Sequence, residues 1–168
     1  MPRRLILTPI GTVAKKESFK AMLAFFDYVL TGLLFGLLGW IAVADFRYRR
    51  IPDRASLPLI GVGLALTGVV SQIGLADRLI GAGVGFLVLW GLGEAFFRLR
   101  GVEGLGIGDA KLFAAAGAWL GWQALPAVLL IASVMGLVFA AVMRRRDLAF
   151  GPWLAAGFAL VWVRVVMG

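Results

Sequence analysis

The chain has no cysteine and no histidine, and only 15% of its 168 residues are charged. Without cysteine there is no disulfide framework, no thiol nucleophile and no cysteine-based zinc site. Without histidine there is no Ser-His or Cys-His couple and no imidazole-ligated metal. Acid–base chemistry is left to six Asp, three Glu, two Tyr and a few lysines. No metal and no cofactor is expected.

Apolar residues fill the space that charge leaves. They make up 61% of the chain, and the mean hydropathy is +0.95. A water-soluble domain of this length has no surface on which to hide so much Leu, Ala, Val and Gly. The bilayer is the solvent that fits. The net charge of +8 would suggest nucleic acid in a soluble protein. Here the cations fall in short runs between apolar segments, a pattern of topology signals and anionic lipid contact. Membrane lipid, and no nucleic acid, is therefore the expected partner.

Six apolar segments run roughly over residues 22–44, 55–75, 79–97, 110–125, 127–143 and 150–166. A spanning helix needs about 20 apolar residues. The fold class is therefore an all-α, polytopic membrane bundle of about six transmembrane helices. The fourth segment is short, so its ends are expected in headgroups or in protein. The loop after the first span holds Arg47, Arg49, Arg50 and Arg54. The loop after the third holds Arg98 and Arg100, with Lys111 just beyond, and the loop after the fifth holds Arg144, Arg145 and Arg146. The loops after the second and fourth spans share only Arg78. The basic loops alternate, so they lie on one side, and the positive-inside rule makes that side cytoplasmic. The basic stretch 1–21, with Arg3, Arg4, Lys15, Lys16 and Lys20, runs against this orientation. Two readings stand: Met22 is the true start and 1–21 a mis-assigned or disordered tail, or the three basic loops outweigh it. The membrane domain is expected over 22–168.

Asp45 closes the first span and Asp109 opens the fourth, within Gly104-Leu-Gly-Ile-Gly-Asp-Ala-Lys111. Span parity brings both to the cytoplasmic boundary. Two adjacent carboxylates do not readily ionise together, so one keeps a proton while the other is charged. The charged one can take a proton from water, and the other can donate to a peptide carbonyl. That chemistry needs neither His, Cys nor metal. Gly106 and Gly108 let a backbone approach Asp109 closely. Lys111 points about 200° around the helix from Asp109, towards a helix-end or lipid-phosphate role. Spacing alone leaves a plainer alternative, in which Asp109 is a helix N-cap and Asp45 an interfacial charge beside arginines.

Three stretches resemble one family. Gly104 to Pro126, Asp45 followed by Arg50-Ile-Pro-Asp-Arg-Ala-Ser-Leu-Pro58, and Phe150-Gly-Pro-Trp-Leu-Ala155 are similar, in that family's order, to bacterial type IV prepilin leader peptidases of the Gly-x-Gly-Asp class. The resemblance implies a multi-pass aspartic endopeptidase of the bacterial inner membrane. Its catalytic aspartates would be Asp45 and Asp109, with Gly106, Gly108 and Lys111 in support. It would cleave the leader of a prepilin or pseudopilin on the cytoplasmic side. Longer members carry a cysteine-bound zinc associated with N-methylation, so the resemblance here is to the peptidase half alone. A likeness to presenilin-type peptidases is looser, since their first aspartate lies mid-membrane beside a tyrosine. The alternative from another class is a small transporter or assembly subunit with structural carboxylates.

The other acids have simpler readings. Glu94 precedes Arg98 by four residues, a favourable helix pair. Glu103 would shape the loop before Asp109, and Asp27 falls near the outer end of the first span. Asp53, after Pro52, would cap the second span and is the rival of Asp45. Trp40, Trp122 and Trp153 read as interfacial anchors.

Overall fold

In the computed structural model the described residues are 10–48, 51, 53–65, 73–101, 105–144 and 149–167. They form six helices in the expected order: α1 Ile10–Tyr48, α2 Asp53–Ala65, α3 Leu75–Arg100, α4 Ile107–Leu120, α5 Leu125–Met143 and α6 Gly151–Met167. No strand occurs among them. Several boundaries differ from expectation. α1 continues N-terminally of residue 22 to Ile10. α3 is longer at both ends than the apolar run it contains. The fourth segment stops at Leu120, because Gly121 takes a left-handed φ of 76° and a single 3-10 turn, Trp122–Ala124, leads into α5.

Tyr28–Tyr48, Leu75–Arg100 and Trp122–Met143 are long and apolar enough to cross a membrane. α2 and α6 are shorter apolar helices. α4 has 14 residues, a rise of about 21 Å against roughly 30 Å of hydrocarbon. It does not face lipid. Ala110 and every residue from Leu112 to Leu120 are buried, so α4 is the core of the bundle.

Packing follows from small residues. α3 and α4 run antiparallel and form the most extensive helix pair among the described residues. A Cβ on Gly81 would lie 2.6 Å from the Gly117 carbonyl oxygen, and one on Gly117 would strike the Gly81 carbonyl. Only two glycines permit that approach. α2 lies parallel to α4: Trp119 Nε1 donates to the Leu59 carbonyl (2.8 Å), and Gly63 lies against Trp119 and Ala118. α6 runs antiparallel to α1 and α5. Trp162 Nε1 donates to Thr31 Oγ1 (3.3 Å), and Phe139 packs on Trp153 at 4.9 Å. Trp162 also meets Trp119 edge-on at 5.2 Å, tying α6 to α4. Odd helices therefore run one way and even helices the other, as the loop parity requires.

Arg78, which reads from sequence as a stray cation of an outer loop, is instead 2% exposed. It stands in the first turn of α3. Its Nη1 donates to the Gly63 carbonyl (2.7 Å) and the Ala118 carbonyl (3.3 Å), and its Nε to the Ile73 carbonyl (3.3 Å). Ala118 lies among the last four residues of α4, whose carbonyls have no intrahelical partner. One guanidinium thus bridges the backbone of α2 to the C-terminus of α4, the negative end of that helix's dipole. Replacing Arg78 with Met removes these donors while keeping the stem. The expected loss is about 2–4 kcal/mol, since hydrogen bonds to charged groups carry roughly 1.5–3 kcal/mol each. Thermal unfolding in detergent measures it, and an unshifted melt would show that the carbonyls do not depend on the guanidinium.

Candidate functional site

Asp45 lies in the last turn of α1 and is 7% exposed, whereas its neighbours Phe46, Arg47 and Tyr48 are exposed. The end of its own helix is a poor place for a negative charge. The compensation comes from α6. Gly151, the first residue of that helix, lies directly against the Asp45 carboxylate.

Asp109 is 8% exposed and stands third in α4. It is not the N-cap. That position belongs to Gly106, in extended conformation with φ −82°. Asp109 Oδ2 accepts the Gly106 N–H at 3.1 Å, and the Asp109 N–H returns to the Gly106 carbonyl at 3.1 Å. This is the acidic half of a capping box. Each aspartate therefore lies against a glycine at the start of a helix, and Asp109 accepts that glycine's N–H. The Asp45 carboxylate is close enough to act electrostatically on Asp109.

Ile51 joins the two halves. A Cβ on Gly108 would lie 2.8 Å from Ile51 Cβ, and a Cβ on Gly151 would lie 3.1 Å from Ile51 Cδ1. The same Gly151 Cβ would lie 2.5 Å from Asp45 Oδ2. One branched side chain thus fills the wedge between the helix starts that hold the two acids. The expected supporting glycines divide accordingly. Gly106 supplies a donor, and Gly108 supplies room for Ile51. Lys111 is partly buried, two residues beyond Asp109 on the same helix.

The remaining acids separate from this site. Glu94 pairs with Arg98 at 2.8 Å on the exposed side of α3, as its spacing indicates. Asp53 starts α2, but its side chain and that of Asp27 lie outside the described residues, as does all of Glu103. Asp77 accepts from Trp122 Nε1 (3.0 Å) and Gln123 Nε2 (3.2 Å) at the opposite end of the bundle. Of the expected anchors, Trp40 and Trp122 are exposed, while Trp153 is partly buried against Phe139. No cluster of three or more acids suited to a metal occurs among the described residues. Ile51 and Gly151 received no role from the sequence, although both fall in stretches that carry the resemblance. Their shared signal is position: each stands at the same end of the bundle, at or just before the start of an even-numbered helix.

Residues 32–141, which include both aspartates, match the type IV leader peptidase family. The chain belongs to that family. Similar proteins include a prepilin leader peptidase/N-methyltransferase of Aeromonas salmonicida, 45% identical over 139 residues, covering 75% of this chain and 48% of that protein. One of the same name from Escherichia coli K12 is 44% identical and covers 80% of this chain and 64% of that protein. A third, from Dickeya chrysanthemi, is 38% identical over 94% of this chain and 63% of that protein. The chain thus spans about half to under two thirds of the length of these curated relatives. No solved structure matches it. Membership of a leader peptidase family does not favour the transporter alternative.

The wedge makes a testable statement about Gly108. Gly108→Ala would press on Ile51 Cβ, which cannot rotate away. Family-type activity is expected to fall at least roughly tenfold, by displacement of the helix start beside Asp109. Adding Ile51→Gly relieves the contact. A double-mutant cycle should show positive coupling between the two changes, and strict additivity would mean that the contact does not govern the site.

Proposed function

We propose that the chain is an integral membrane aspartic endopeptidase that removes the leader of type IV prepilins or pseudopilins, with Asp45 and Asp109 as its catalytic pair. The observation that carries this reading is the placing of two buried carboxylates, from different helices, at one end of the bundle and within electrostatic reach. Family membership and the names of the similar proteins support the reaction class. The proposal is confined to peptide cleavage. Methyl transfer is left out, because the resemblance ties it to cysteine-bound zinc and this sequence has no cysteine.

In this mechanism one carboxyl group is protonated and the other ionised. The ionised group removes a proton from a water molecule as its oxygen attacks the scissile carbonyl carbon. The protonated group donates to the carbonyl oxygen, giving a neutral tetrahedral diol. Proton return to the amide nitrogen breaks the C–N bond and releases a new carboxyl and a new amino terminus. The two groups titrate as a coupled pair. The Gly106 N–H holds the Asp109 carboxylate before substrate arrives, as electrostatic preorganisation requires.

The basic ends of the helices lie on the same side as the pair. Arg47, Arg54, Arg98, Arg100 and Arg144 are all exposed there. They set that side as cytoplasmic in the bacterial inner membrane, where anionic headgroups would meet them. A pilin's apolar N-terminal helix would reach the pair laterally through the bilayer, leaving its polar leader at the interface.

Asn in place of either aspartate keeps shape and most hydrogen bonds but loses acid–base function. Asp45→Asn and Asp109→Asn should each cut leader removal from a co-expressed prepilin by about 10²–10⁴-fold, the usual share of one acid–base group. Immunoblotting of precursor and mature pilin reads the outcome. Full processing by either variant would reject the pair.

A further inference from the structure

Gly151 lies beyond residues 32–141 that match the family, yet it touches the acid that they contain. The donors in the first turn of α6 can be followed one by one. Pro152 has no N–H. The N–H groups of Trp153 and Leu154 both return to the Phe150 carbonyl, at 3.1 Å each. The remaining residue of that turn, Gly151, abuts the Asp45 carboxylate.

The space at Gly151 is specific. A Cβ there would stand 2.5 Å from Asp45 Oδ2, 2.9 Å from Asp45 Cγ and 3.1 Å from Ile51 Cδ1. Those are side-chain atoms of the site, not the backbone of a packing partner. Gly157, two turns along the same helix, is the opposite case. Its Cβ would meet the Val128 carbonyl at 2.7 Å and the Ala132 N at 3.2 Å, both in the backbone of α5. Gly157 therefore serves helix packing, and Gly151 serves a carboxylate.

We propose that Gly151 is a positioning residue of the peptidase: its missing side chain seats the Asp45 carboxylate against the start of α6, at the end of the bundle where α4 presents Asp109. Ile51 closes the side through which the carboxylate would otherwise retreat. This role rests on the peptidase reading given above.

The test pairs Gly151→Ala with Gly157→Ala in the purified full chain, assayed on a prepilin leader peptide in detergent. Gly151→Ala should lower kcat on the order of 10²-fold, the scale of a small misplacement of a reacting group, with KM within about twofold of wild type. Gly157→Ala should lower the melting temperature and leave kcat per folded molecule unchanged. Wild-type kcat in Gly151→Ala overturns the proposal, and so does a loss that merely follows the folded fraction. If the single variant does not fold, the Gly151→Ala/Ile51→Ala double variant gives the carboxylate room to move aside. It should fold and retain the kcat loss relative to Ile51→Ala, and equality with Ile51→Ala overturns the role.

A second readout needs no cleavage. Infrared bands of 13C-labelled aspartate carboxyl groups should shift in Gly151→Ala and not in Gly157→Ala, and unshifted bands overturn the seating. Wild-type cleavage with inactive Asp45→Asn upholds the peptidase reading whatever Gly151→Ala does. Failure of the wild type to cleave would sink that reading, while the infrared comparison still decides the seating.

Discussion

The approach of α3 and α4 at Gly81 and Gly117 is the contact on which the bundle rests. Two backbones meet there without a side chain between them, and no larger pair of residues fits. In a bilayer the gain comes from dispersion between close surfaces, because lipid tails are as apolar as the helices. The contact holds a short helix that cannot span by itself at a fixed height among longer ones. Trp119 then locks α2 and α6 onto the same helix from other sides. α4 is a spindle, and Asp109 stands near its lower end.

The two aspartates reach that end by different physical routes. Asp109 sits where a helix dipole welcomes a carboxylate, and it closes a local hydrogen-bonded ring with Gly106. Asp45 sits at the wrong end of its own helix and depends on the start of a distant one. One acid is held by local sequence, the other by tertiary structure. That difference places the burden of alignment on the α1–α6 contact, which Trp162 and Thr31 anchor at its far end.

Much of this was legible in the sequence. Hydropathy gave six helices in order, and alternating arginine-rich loops gave their directions. Those directions alone put Asp45 and Asp109 at one end. The Glu94–Arg98 pair followed from helical spacing. The plainer alternative for Asp109, an N-cap, is set aside, because the acid reaches back to the Gly106 N–H from the third position. Ile51 and Gly151 stayed hidden because their importance lies in what touches them across 57 to 106 residues of chain, and a single sequence carries no signal for such contacts. Arg78 was hidden for a related reason. A lone arginine in an outer loop looks like any surface charge until the carbonyls of two helices are seen to meet it.

Arg78 also constrains how the protein is made. Its partners come from both sides of α3 in the chain: Gly63 and Ile73 precede it, while Ala118 follows 40 residues later. When α3 leaves the translocon, the guanidinium finds the backbone of α2 but not yet that of α4. A charge near a membrane helix is tolerated in this state only by staying close to the aqueous interface. The arrival of α4 then draws it inward and seals the joint. The buried position of Arg78 is thereby completed only when the helix bearing the second aspartate docks.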